Sequence, residues 1–378
     1  MGLILFRSLY FFLFFGLSTI AGMLIPFLNY KGYDPVQTGL LISLYTVSGM
    51  IGQFAVGFIC DKLNTIKKIF LPSIIVIMIS GTISIIFNIQ YLFIAGFVFM
   101  GCFNYILNTL CDSWVMERED GIKNKFGPLR SYGSIGWAFG VLIAGFVISR
   151  FGYIAINILF IITLSISLLI TMKIHDTKKE CSKSVNAKEL LYNKEYILTI
   201  TVLLVIGVSY RGYCQVLPYV ISAIGGNTVN LGIYSFISAI SEMVMLMFCA
   251  KVMHKYSPDK ILILAPIAII LQLLVLFFAS NIFLIYISGI LQIFTYPLIL
   301  MVGRIMIDRV SPSNLKTSSQ LIGFAIFNSF GIIIASISVG VLVEHLKIGN
   351  AVLILIGFTV LGVIGAVIYD KKIKDETL

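Results

Sequence analysis

Residues 261–278 read ILILAPIAIILQLLVLFF, eighteen positions without one charged side chain. An α-helix rises ~1.5 Å per residue and the hydrocarbon core of a bilayer is ~30 Å thick, so about 20 residues of this kind cross it. Comparable runs recur at 4–28, 36–60, 68–88, 91–115, 129–149, 152–172, 196–223, 231–252, 260–280, 282–305, 319–343 and 349–369. The chain is 59% hydrophobic and 12% charged, against the roughly 25% charged of soluble domains. A water-soluble fold has no means of hiding so much apolar surface. Ile, Phe and Val would suit strands, but a sheet edge exposed to lipid is forbidden and a barrel needs strands of about ten alternating residues. The runs are too long and too uniformly apolar for that. The expectation is an all-α membrane protein with twelve transmembrane helices. The first run is read as a retained span, because no small-residue cleavage site marks its end.

Most connections are short. The exception is 174–195, where Lys178, Lys179, Lys183, Lys188 and Lys194 mix with acids and Ser. It divides the chain into an amino-terminal six-helix bundle (1–173), a cytoplasmic central loop (174–195) and a carboxyl-terminal six-helix bundle (196–378). A weak repeat supports the division: Ile25-Pro26-Phe27 closes the first run and Leu217-Pro218-Tyr219 the seventh, with Gly39 and Gly232 following at similar distances to open the second and eighth. Parallel six-helix repeats with a midplane site are a transporter architecture.

Positive charge sets the orientation. Loops after even-numbered spans, the carboxyl-terminal tail and the edge of the fifth span together carry 22 of the 27 basic residues. The other face shows Lys31, Arg150 and Lys347, while Arg7 lies at the amino end and Arg211 within a span. Both termini are therefore expected in the cytoplasm, with the chain in the plasma (inner) membrane. The net charge of +10 follows from this topology. No basic cluster interleaved with aromatics is present to track nucleic acid. Cys60, Cys102, Cys111, Cys214 and Cys249 fall in spans and Cys181 in the central loop, so neither a disulfide nor a metal site is expected, and no cofactor.

An ionisable group at the centre of a span costs ~2.5–3.5 kcal/mol unless paired or facing water. Four such groups stand out: Asp112 late in the fourth span, Arg130 opening the fifth, and Arg211 and Glu242 midway along the seventh and eighth. Asn104, Asn108 and Asp112 repeat every four residues and share a helical face. Arg130 and Trp137, seven apart with Ser134 between them, share another. A face of Arg, Ser and Trp can hold a polar solute. The alternative is a static Asp112–Arg130 pair with Trp137 in the interfacial aromatic belt. Arg211 likewise has two readings, as the charge partner of Glu242 or as an anchor for an anionic group. Arg211, Gln215 and Pro218 lie on one face, which fits both.

Gly57-Phe58-Ile59-Cys60-Asp61-Lys62, followed by Lys67 and Lys68, resembles the loop signature of the major facilitator transporters: glycine for close helix approach, an acid for a neighbouring helix terminus, and lysines in water. The signature's later glycine is Asn64 here. Asp112, Arg130, Gly133, Gly136 and Trp137 resemble, in order and spacing, the lactose permease branch with its nucleoside and phenylpropionate proton symporters. That resemblance implies that Asp112 and Arg130 bind solute and that Trp137 stacks on its ring. Glu242 resembles an acid of the eighth helix that serves substrate or proton coupling, and Asn328-Ser329 a region of the eleventh. Where the permease carries a His and a Glu in its tenth helix, this chain has Gln292 and Thr295 before Pro297, and a ninth-helix arginine is replaced by Gln272.

The implied activity is secondary transport of a small polar organic solute, a sugar or nucleoside, by proton symport. Coupling then rests on Glu242 tuned by Arg211, or on Asp112. The candidate solute contacts are Asp112, Arg130, Trp137, Asn108, Asn104, Arg211, Gln292 and Asn328, and the loop motif is Gly57, Asp61 and Lys62. Proton-antiport efflux, carriage of an organic anion and a non-transporting membrane sensor are the competing readings, the last expecting a soluble domain that the chain lacks. No nucleophile with its base and no metal-spaced cluster points to an enzyme. The partners expected are the solute, a proton and the bilayer, for a monomeric chain.

Overall fold

The computed structural model describes residues 2–118, 121–122, 125–177, 190, 192–312 and 315–376. Lys123, Cys181 and the lysines at 178, 179, 183 and 188 lie outside these residues, as do the side chains of Asp61 and Cys249. Every described element is helical: α1 Gly2–Ala21, α2 Leu24–Tyr30, α3 Pro35–Leu63, α4 Lys67–Ile86, α5 Gln90–Met116, α6 Phe126–Lys173, α7 Lys194–Ala223, α8 Thr228–Lys255, α9 Pro258–Phe277, α10 Ile282–Ile290, α11 Tyr296–Val310, α12 Lys316–Ala325, α13 Gly331–His345 and α14 Ile348–Glu376.

Among the described residues eleven helical stretches are long and apolar enough to cross a membrane. One of them, α6, has 48 residues, roughly 70 Å of helix, enough for two crossings. Its backbone breaks at Gly152, with φ 77°. Only glycine enters that left-handed region freely. The fifth and sixth expected spans are thus one helix by hydrogen bonding and two by direction, which accounts for the twelve.

Prolines explain two further interruptions. A proline lacks an N–H and its ring collides with the carbonyl four residues earlier. Pro26 places that conflict at Gly22, and the first span divides at Gly22-Met23 into α1 and α2. Pro297 places it at Ile293, within a 3-10 turn over Leu291–Phe294 that separates α10 from α11. In α7 the helix runs through Pro218, so the resemblance of the first and seventh spans stops short of their local geometry. A π turn, Ile326–Phe330, joins α12 to α13.

The chain forms two compact units. Unit 1 comprises Met1–Tyr33, Leu44–Lys183 and Asn227–Ala239; unit 2 comprises Asp34–Ser43, Ser184–Gly226 and Ile240–Leu378. In unit 1, α1 lies along α6 at glycine positions: a Cβ on Gly136 would stand 2.2 Å from the Phe11 carbonyl oxygen, and one on Gly140 2.0 Å from Ser18 Oγ. Small residues at such spacing let helix backbones meet in a membrane, where no hydrophobic force between helices exists to replace that packing. In unit 2, Gly207 of α7 meets the π turn in the same way, 2.6 Å from the Phe327 carbonyl oxygen. The close approach expected at Gly57 is not found: a Cβ there would meet nothing within 4 Å. Lys62 is exposed. Asn64, standing where the signature has glycine, adopts φ 52°. Among residues with a side chain, Asn is one of the few that tolerates this conformation, so the loop keeps its turn.

Beyond the end of α6, Asp176 caps the start of α4. Its carboxylate accepts from Thr65 Oγ1 (2.5 Å) and from the backbone N–H groups of Lys67 (2.9 Å) and Ile66 (3.3 Å). Lys67 Nζ returns a bond to the Ile174 carbonyl at 2.7 Å. Partial burial pushes the Asp176 carboxyl up, but the bonds from Thr65, Lys67, Thr177 and Ile66 outweigh it and hold the group below its usual range. An anion at a helix amino terminus also meets the positive end of the peptide dipoles.

Two outcomes follow. Gly136→Val should lower the detergent unfolding temperature markedly, while Gly357→Val, where a Cβ meets nothing within 4 Å, should leave it close to wild type; equal behaviour would contradict the packing described. For Asp176, the folded-state value is depressed, so its contribution is complete above the unfolded value of ~3.9 and disappears as pH falls through the lower folded value. Thermal unfolding should find wild type more stable than Asp176→Asn at neutral pH, with the gap closing in acid.

Candidate functional site

Among the described residues, a polar cluster with charged members lies inside the spans of each unit. In unit 1 the cluster is built on α1, α5 and α6. Asp112 Oδ1 accepts from Tyr10 Oη at 2.8 Å and lies 3.5 Å from Arg130 Nε. The Arg130 guanidinium sits 4.3 Å from the centre of the Phe14 ring, a cation–π contact, worth ~0.5–1 kcal/mol where water reaches it. Tyr10 and Phe14 are four apart on α1 and stack at 5.8 Å. Gly133 makes room for this arrangement, since a Cβ there would crowd the Arg130 guanidinium at 2.9 Å and the Phe14 ring at 3.1 Å. The motif glycines thus have a packing role: they bring α1 close enough to furnish Tyr10 and Phe14.

Tyr10 is fully buried, whereas the side chains of Arg130 and Asp112 are 36% and 38% exposed. Open charges of opposite sign within spanning segments belong beside water, because lipid gives neither of them a partner. Higher on α5 the stripe closes in. Asn104 is buried and donates to Tyr45 Oη at 2.6 Å, and Asn108 Nδ2 turns back to the Asn104 carbonyl at 2.7 Å. Asn108 and Trp137 are each partly exposed.

In unit 2 the cluster draws on α7, α8, α9, α11, the 3-10 turn and the π turn. Arg211 donates to Asn328 Oδ1, and its guanidinium lies 5.4 and 5.6 Å from the ring centres of Tyr210 and Tyr296, which stack on each other at 5.1 Å. Glu242 Oε1 accepts from Gln292 Nε2 at 2.8 Å. The same nitrogen donates to Tyr210 Oη at 2.6 Å, and Gln292 Oε1 accepts from Gln272 Nε2 at 3.0 Å. Arg211, Glu242, Tyr296 and Asn328 are partly exposed, while Tyr210, Gln272 and Gln292 are buried. Both helix interruptions of this unit therefore deliver a side chain to one network, Gln292 from the 3-10 turn and Asn328 from the π turn. π turns of this kind cluster at functional sites.

The expected residues thus fall into two groups. Asp112 and Arg130 meet, as do Arg211 with Asn328 and Glu242 with Gln292. Asn104 and Gln292 are buried and engaged with other side chains. Tyr10, Phe14, Tyr210 and Tyr296 were absent from the expectations. The adjacent Tyr210-Arg211 pair and the Tyr10/Phe14 spacing were the available signals. Chemically, unit 1 offers an acceptor and a donor side by side, suited to vicinal hydroxyls. Unit 2 offers a carboxyl that can exchange a proton beside a guanidinium.

Comparison with known proteins places these clusters in context. The model of the MFS_1 like family matches residues 3–354. The maltose permease of Geobacillus stearothermophilus is 19% identical over 374 residues, 97% of this chain and 94% of that protein. A protein of Arabidopsis thaliana is 30% identical over 126 residues, 30% of this chain and only 25% of its own length. Among solved structures, the nucleoside transporter NupG superposes with a TM-score of 0.87 at 16% identity, covering 98% of this chain and all of that one. This likeness is one of fold.

A double-mutant cycle tests the unit 1 pair. Asp112→Ala and Arg130→Ala should each lower the unfolding temperature, and the double variant should lose less than the sum. The coupling should be about 0.5–1 kcal/mol, reduced by the exposure of both groups. Additive losses would show that the two side chains do not depend on each other.

Proposed function

The chain belongs to the MFS_1 like family of membrane transporters, and on that premise we propose that it takes up a small polar organic solute, a sugar or nucleoside, together with a proton. The observation that carries this reading is the partly exposed Asp112–Arg130 pair held by Tyr10 and Phe14. A carboxylate accepts from a sugar or ribose hydroxyl while the neighbouring guanidinium donates to the next, and charge-assisted bonds are roughly twice as strong as neutral ones. Trp137 supplies an aromatic face two helical turns from Arg130, for the pyranose or base. The names of two similar proteins, a maltose permease and a nucleoside transporter, support this cargo class.

Glu242 is assigned the proton. It shares its network with Arg211 and Gln292 and can exist charged or neutral, which is what coupling requires of a group within a span. Where the permease carries a His and a Glu in its tenth helix, this chain bonds Gln292 to Glu242, which leaves Glu242 as the titratable group of the network. The functional halves are read as 1–173 and 196–378, with both termini in the cytoplasm as the basic loops imply and the monomer as the working unit. Carriage of an organic anion is the second reading, favoured by the partly exposed Arg211 beside two tyrosine rings and Asn328.

Counterflow in liposomes with labelled maltose, uridine and a sugar phosphate separates these readings. Neutral solutes should exchange and the sugar phosphate should not; the reverse would assign the anion. Glu242→Gln should then keep counterflow but lose concentrative uptake, because the amide imitates the protonated acid. Undiminished solute-driven proton movement in Glu242→Gln would remove the residue from coupling.

A further inference from the structure

Two buried amides, Gln272 of the ninth span and Gln292 of the tenth, form a hydrogen-bonded chain. Gln272 is 0% exposed and Gln292 2%. The direction of the chain is fixed at its far end, where a backbone carbonyl can only accept. The Ser288 carbonyl meets the Gln272 side chain at 2.8 Å, so the contacting atom is Nε2. The same nitrogen gives to Gln292 Oε1 at 3.0 Å. Gln292 is thereby turned with its own Nε2 toward Glu242 Oε1 (2.8 Å) and Tyr210 Oη (2.6 Å). Ser288 belongs to the last turn of α10, whose carbonyls have no continuing helix to bond. The chain therefore runs from the break in the tenth span to the Glu242 carboxyl.

This arrangement is costly. Among the described residues, Gln272 Oε1 is buried without a hydrogen-bond partner, which leaves its desolvation uncompensated. Apolar side chains at 272 and 292 would avoid it, so stability does not account for the two amides. Their shared product is a single N–H held against one carboxyl oxygen. The other groups facing Glu242 are Tyr210, Arg211 and Cys214, all from α7.

We propose that Gln292 is a positioning residue for Glu242, oriented in turn by Gln272, and that the amide chain ties the Glu242 carboxyl to the break between α10 and α11. The inference rests on Glu242 being the coupling group. Gln292 then contacts no solute. With Oε1 occupied by the amide, the proton enters at Oε2, and Oε1 becomes the carbonyl oxygen of the neutral acid. The bond from Gln292 is strong to a carboxylate and weaker to a carboxylic acid, so protonation loosens the tie on the 3-10 turn.

Infrared spectroscopy of the purified protein in acid tests this without a solute. The carboxyl stretching band of Glu242 is the one absent from Glu242→Gln. Removing a donor from its carbonyl oxygen should move that band to higher wavenumber in Gln292→Met, and to a smaller extent in Gln272→Met. Gln272→Met should add nothing in the Gln292→Met background. An unmoved band in Gln292→Met overturns the proposal. If that variant fails to fold, an unmoved band in Gln272→Met overturns it equally. Proton-coupled uptake persisting in Glu242→Gln would defeat the coupling role while leaving the band shifts in place, so the two readings fail separately.

Discussion

Within a bilayer no water stands ready to satisfy a charge or an amide, so every polar side chain in a span must bring its own partner or face an aqueous space. The rest of the molecule is arranged around that constraint. Asp112 is held by Tyr10 and Arg130, Arg130 rests on Phe14, Arg211 reaches Asn328 beside two tyrosines, and Glu242 receives Gln292. In unit 1 more than a third of the Asp112 and Arg130 side chains is exposed.

The partners are brought together by backbone features. Gly133 and Gly136 admit α1 against α6, and without that approach neither Tyr10 nor Phe14 would reach the acid and the arginine. In unit 2 the work falls to interruptions. Pro297 forces a 3-10 turn that carries Gln292, and a π turn seated on Gly207 carries Asn328. Irregular backbone at membrane depth survives only inside protein or beside water, and both interruptions lie against the same network.

Much of this was legible in the sequence. Twelve spans follow from run length alone, because the bilayer fixes how many apolar residues a crossing needs. The fifth and sixth spans were separable because Arg150 stands between two apolar runs; the role of Gly152 in the break was not read. Asp112, Arg130 and Glu242 announce themselves as charges where charge is expensive. Their partners did not. Tyr10 and Asp112 are 102 positions apart, and nothing in an apolar, aromatic first span distinguishes Tyr10 from its neighbours until the glycine contacts are known. Gln292 was legible as a polar group in a span, but its bond to Glu242 was not, because the orientation is set by Ser288 and Gln272. The π turn left no trace in sequence, whereas the break before α11 was written in Pro297. Asn64, which looked like a departure from the loop signature, keeps the turn through its left-handed backbone.

The central claim is that one proton travels with a neutral solute. The most direct measurement is the dependence of wild-type uptake on membrane potential in liposomes without a pH gradient. One inward charge gains ~2.3 kcal/mol per 100 mV, a limit of roughly 50-fold accumulation. An inside-negative potential should therefore drive labelled solute above equilibrium, and a protonophore should abolish the gradient. Uptake that stops at equal concentrations whatever the potential would contradict proton symport and leave a passive carrier.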